Sequence, residues 1–79
     1  MKKQLYRLLE SKAISEREEA ITTIKLLTEH PAGIGDHSTD DFYNNAEQAL
    51  QKLVDAEDKL STLEKFKIDL FSDYEKDRF

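Results

Sequence analysis

Residues 38–76 read STDDFYNNAEQALQKLVDAEDKLSTLEKFKIDLFSDYEK. From Phe42 the seam positions step alternately by four and three: Phe42, Ala46, Ala49, Leu53, Ala56, Leu60, Leu63, Lys67, Leu70 and Tyr74. A sustained spacing of this kind is a heptad, and it draws one seam along one face of an α-helix. Only Lys67 interrupts the apolar character. At 1.5 Å of rise per residue, a helix over 38–76 runs on the order of 50 Å, longer than so small a domain is wide. Its seam therefore needs partners along its whole length. One is expected from the first half of the chain and one from a second copy of the protein.

The seam has two characters. Ala46, Ala49 and Ala56 let a neighbouring backbone approach closely in the first part. The last part is bulky, with Leu60, Leu63, Leu70 and Tyr74 on the seam and Phe66 and Phe71 beside it. Working back from Phe42, Ser38 to Asp41 reads S-x-x-D, a helix N-terminal cap. Before it lies His30-Pro31-Ala32-Gly33-Ile34-Gly35-Asp36-His37, which holds the only proline and both glycines of the chain. Pro31 disfavours helical geometry at His30, so a helix ends there. A loop over 30–37 between two helices makes an antiparallel hairpin.

The helix entering that loop is read as 15–29. Ser15 to Glu18 has the S-x-x-E form of a capping box, and Ala20, Ile21, Ile24 and Leu27 are its expected buried stripe. Residues 2–12 carry a further apolar stripe at Leu5, Leu8 and Leu9, with Tyr6 beside it, among good helix formers. Arg17 falls where one continuous stripe would pass. Residues 1–14 are therefore read as a separate helical arm, joined near Ala13–Ser15. The alternative is a single unbroken helix.

Length and composition bound the rest. The chain has 79 residues and no cysteine. It has room for one domain, of a size that seldom buries enough apolar surface to be robust alone. Disulfides and cysteine-based zinc sites are excluded, leaving oligomerisation as the common reinforcement. The start has a basic opening without a signal peptide's apolar run, and no stretch approaches membrane-spanning length. The expectation is a soluble, cytoplasmic chain. The net charge of −5 argues against broad nucleic-acid binding, which depends on Lys and Arg neutralising phosphates. Charge is uneven: Lys2, Lys3, Arg7 and Lys12 face one anion, Glu10, within residues 1–12, whereas residues 36–64 carry eight acidic residues against Lys52 and Lys59. The two segments can attract one another, or simply be two solvated faces.

Candidate chemistry concentrates in the 30–41 loop. Ligand-binding candidates are His30, Gly33, Gly35, Asp36, His37 and Ser38. Each also has a purely structural role in a turn and cap. A metal reading would use His30, His37 and one carboxylate, but the spacing matches no standard site, and no metal ligand is assigned. An anion reading would use glycine-loop N–H groups at a helix N-terminus. It lacks the Lys-Ser/Thr of a phosphate loop, and Asp36, Asp40 and Asp41 would repel the anion. No serine stands in a nucleophile-elbow context, so no catalytic residue and no cofactor are assigned. Phe42 and Tyr43 near the loop end, and Leu60, Leu63, Leu70 and Tyr74 on the distal seam, are the interaction candidates.

Two strings carry a resemblance. TEHPAGIGDHSTDDF (28–42) and ALQKLVDAEDKLSTLE (49–64) resemble small helical proteins of large contractile-tailed bacteriophages of the cyanophage type, in which a HP-x-GIGDHS loop precedes an EAL-x-x-LVDA-like helix. The resemblance spans roughly residues 20–66 and brings no catalytic residue with it. It implies a phage accessory protein acting inside an infected bacterium.

Taken together, the expected fold is all-α: an antiparallel helical hairpin of helices 15–29 and 38–76 with an N-terminal helical arm, paired as a homodimeric helical bundle. The expected function is a non-enzymatic accessory protein that self-associates and modulates a phage or host protein. The alternatives are a small-ligand or metal-ion binder at the 30–41 loop, and a nucleic-acid accessory factor using Lys2, Lys3, Arg7 and Lys12. Salt dependence separates the last of these, because phosphate contacts weaken steeply as salt rises.

Overall fold

The computed structural model describes residues 1–29 and 39–72, the side chains of Thr39 and Asp40 excepted. Every element among them is an α-helix: α1 (Lys2–Glu29), α2 (Thr39–Lys65) and a short α3 (Lys67–Phe71). α1 and α2 lie antiparallel along their lengths, and the hairpin is elongated, 55 × 16 × 14 Å.

α1 is one helix of 28 residues, so the separate arm over 1–14 and the joint at Ala13–Ser15 are not found. The physical reason is legible. No glycine or proline occurs between residues 2 and 29, and serine costs only a few tenths of a kcal/mol in a helix interior. Ser15 sits exposed in the middle of α1, where the N–H groups that a capping box would serve are already within the helix. The second expected cap depends on Ser38, which lies outside the described residues; α2 begins at the next residue, Thr39.

The core is a double row of positions seven apart. Tyr6, Ala13, Ala20 and Leu27 are buried on α1, and Ala49 and Ala56 on α2, with exposures between 0% and 5%. Phe42 and Leu63, which continue the α2 row, are half-buried, as are Ala46, Leu53 and Leu60 between them. Among the described residues, four of the six buried side chains are alanine. Alanine at every seventh position leaves the two backbones nothing bulky to separate them, so the helices interlock closely with little apolar surface removed from water. The α2 heptad thus forms its seam as expected. On α1, Ala20 and Leu27 of the expected stripe are buried and Ile21 and Ile24 half-buried, but Leu5, Leu8 and Leu9 are 46%, 64% and 39% exposed, while Tyr6 is 3% exposed. A heptad through Ala20 and Leu27 extrapolates to Ala13 and Tyr6, and it turns the three leucines outward.

The distal end departs from the single long helix expected over 38–76. Phe66 has φ −107° and ψ 16°, outside helical values, and it interrupts the helix between α2 and α3. The Phe66 N–H still donates to the Thr62 carbonyl (3.0 Å) and the Leu70 N–H to the Phe66 carbonyl (2.9 Å). The distortion advances the seam by one residue. Inward positions now step 63, 67, 71, so Phe71 is half-buried and Leu70, expected on the seam, is 58% exposed. Tyr74 lies outside the described residues.

Tyr6 explains both the register change and the lysine on the seam. The Phe71 ring meets Tyr6 edge-on, centroids 5.3 Å apart and planes at 73°. Lys67 Nζ stands 5.3 Å from the centroid of the same ring. Both distances lie within the range of favourable aromatic and cation–π contacts. The ammonium that breaks the heptad is thereby placed on a π face.

Candidate interaction surface

A pair of helices has two open flanks, and here they differ. On one flank Glu16 accepts from Lys59 Nζ at 3.1 Å, and Glu19 is ion-paired with Lys52. On the other, Arg17 Nη1 lies 3.8 Å from Glu57 Oε2, and Arg17 Nε donates to the neighbouring Glu18 at 3.1 Å. Glu16 and Arg17 fall on opposite sides of the Ala13–Ala20 row because successive residues turn by 100° on an α-helix. Such exposed pairs contribute little stability each, about 0.2–1 kcal/mol, but they set orientation and register. They also cross the charge segments differently from the sequence expectation. Within the described residues, Lys52 and Lys59 of the acidic segment pair with glutamates of α1.

The Glu16/Lys59 flank is mostly polar in its middle. Toward the distal end it opens into a groove of about 470 Å³ lined by Leu9, Lys12, Ala13, Lys59, Thr62 and Leu63 among others. The Arg17/Glu57 flank is apolar over its central and loop-proximal length. Ile14 and Ile21 follow Ala13 and Ala20 by one residue, and Leu50 follows Ala49, so helical geometry sets all three on this side. Ile14 is 37%, Leu50 55% and Val54 44% exposed, while Ile21, Ile24 and Leu53 are half-buried. Within the hairpin nothing packs over this side, because its two helices are already in contact with each other.

Of the interaction candidates, Leu60 and Leu63 are half-buried against α1 and Phe42 is half-buried near the loop end. Tyr43 is 61% exposed, its ring edge-on to Phe42 at 5.7 Å. The ligand-binding candidates His30, Gly33, Gly35, Asp36, His37 and Ser38 lie outside the described residues. Among the described residues no group of three or more His, Cys, Asp or Glu side chains is placed to hold a metal ion. Lys2, Lys3, Arg7 and Lys12 spread around α1 rather than lining one stripe. No described helix is long and apolar enough to cross a membrane.

Sequence reasoning missed Ile14, Leu50 and Val54 as surface residues. For Ile14 and Leu50 the available signal was the position immediately after a seam alanine, and for Val54 the position immediately after the seam residue Leu53: an apolar residue there marks a second apolar face.

Among the described residues, Tyr6 has a shifted phenol. Burial raises its phenol above the ordinary value, and the carboxylates of Glu10 and Glu64 add to the shift. Removing a phenol from water disfavours its anion, and nearby negative charge does the same.

No protein-family model matches the chain, and neither does any curated protein or solved structure.

Proposed function

We propose that this chain is a non-enzymatic accessory protein that associates with a second copy of itself and, as that assembly, modulates another protein. The observation that carries the reading is the imbalance of the hairpin. Among the described residues its core holds six buried side chains, four of them alanine, while Ile14, Leu26, Leu50 and Val54 remain more than a third exposed. A chain of this size with so thin a core gains most by burying a flank against another copy. The phage setting follows from the resemblance of the 28–42 and 49–64 strings, and it would make the modulated partner a phage or host protein in the bacterial cytoplasm.

Sedimentation equilibrium at micromolar concentration tests the self-association. At least twice the monomer mass of 9.2 kDa is expected. A single species of 9.2 kDa that still unfolds cooperatively would contradict it. Recovery of one stoichiometric partner from phage-infected cells would test the modulating role.

A further inference from the structure

We infer that the Arg17/Glu57 flank is where a second copy docks, with both 30–38 connections at the same end of a four-helix bundle. This rests on the self-association proposed above and specifies its face and direction.

Three observations carry it. The first is apolar surface. Ile14, Ile21 and Ile24 of α1 and Leu50, Leu53 and Val54 of α2 lie on this flank, each half-buried or exposed in the single hairpin. The opposite flank is instead bridged across its middle by Glu16–Lys59 and Glu19–Lys52.

The second is size. A flank of helices 28 and 27 residues long runs about 40 Å on a hairpin 16 Å across. It projects roughly 600 Å², and side-chain relief brings this near the ~800 Å² per partner of a standard interface.

The third is charge, and it decides the direction. On this side α1 presents Arg7, Glu10, Arg17 and Lys25, and α2 presents Glu64, Glu57 and Glu47. The Arg17–Glu57 contact fixes the level of the two helices. Counting along antiparallel helices from it, Lys25 stands near the level of Glu47, whereas Glu64 stands at the level of Glu10, with Arg7 about one turn beyond. A two-fold axis parallel to the helices sets α1 of one copy against α2 of the other at the same level. Arg17 and Lys25 then face glutamates of α2, and the apolar residues of the central and loop-proximal length face one another. A two-fold axis across the helices would instead set α1 on α1 and α2 on α2. That arrangement sets the glutamates of α2 on those of the copy's α2, which is disfavoured. α1 also carries Glu18 near this side; Glu18 already binds Arg17.

The absence of cysteine makes the test direct. A spin label on a single cysteine at exposed Gln4 reads the distance between copies. With both connections at one end, α1 and its copy are diagonal neighbours, and the label–label distance is below about 30 Å. With connections at opposite ends it exceeds about 40 Å, and that result overturns the direction. Leu50→Asp, on the docking flank, is expected to give single chains in sedimentation. Leu5→Asp, on the other flank, is expected to leave the pair intact. A Leu50→Asp protein that remains paired while Leu5→Asp dissociates overturns the face but not self-association. A parent chain that sediments as a monomer overturns both. If Leu50→Asp does not fold, the label distance in the otherwise native flank still decides.

Discussion

The ring of Phe71 meets that of Tyr6 edge-to-face at 5.3 Å, and the contact closes the hairpin at the end opposite the 30–38 connection. Tyr6 is the largest of the six buried side chains, and it holds α3 through Phe71 and Lys67 together. Its loss should therefore release the distal end as well as leave a cavity. Tyr6→Ala is expected to cost about 3–5 kcal/mol in urea unfolding, the range for removing a buried aromatic ring. A cost below about 1 kcal/mol would mean that the ring is not packed as described.

The same residue predicts an alkaline transition. The folded-state pKa of Tyr6 lies above its ordinary value near 10. Below that value both folded and unfolded chains keep the phenolic proton, and Tyr6 adds no pH dependence. Above it the unfolded chain loses the proton first, so stability falls as pH rises through the folded pKa. Tyr6→Phe should remove that part of the decline. Parallel stability–pH curves for the two proteins above pH 10 would contradict it.

Close helix approach predicts intolerance of size at the alanine rows. Ala56 is 0% exposed and Ala20 1%. Ala56→Leu should force the backbones apart and cost about 1–3 kcal/mol, although leucine is nearly as good a helix former as alanine. The matched substitution at exposed Ser61 should be near neutral. Equal effects at the two sites would show that the rows are not in contact.

The interhelical ion pairs predict register more than stability. Lys59→Glu sets a third carboxylate beside Glu16 and Asp58 and should destabilise the hairpin, whereas Glu16→Lys combined with Lys59→Glu should restore most of the loss. The coupling expected from a double-mutant cycle is about 0.2–1 kcal/mol, shrinking as salt is added. No coupling at low salt would count against the 3.1 Å contact.

The hairpin was legible because the heptad from Phe42 to Leu63 is long and the Pro/Gly residues cluster in one place. What the heptad could not show is which alanine-sized positions on the other strand complete it. Ala13–Ser15 looked like a joint because Arg17 falls where one continuous stripe would pass and Ser15 to Glu18 has the form of a capping box, yet none of these residues breaks a helix. Leu5, Leu8 and Leu9 looked like core because leucine usually is, whereas the register set by Ala20 and Leu27 selects Tyr6. The shift at Phe66 was hidden because Leu70 and Phe71 are adjacent and equally apolar. Only the ring of Tyr6, far away in sequence, favours Phe71. The loop candidates from His30 to Ser38 fall outside the described residues, so the site reading moves to the flanks.

The most direct test of the central claim, that the hairpin is half of its own bundle, is thermal unfolding followed by far-UV circular dichroism at several protein concentrations. If folding and pairing are linked, a hundredfold increase in concentration adds about 2.7 kcal/mol to apparent stability. That raises the melting temperature by roughly 5–10 °C for an assembly of this size. A melting temperature that does not move with concentration, in a chain that unfolds reversibly, would contradict the account.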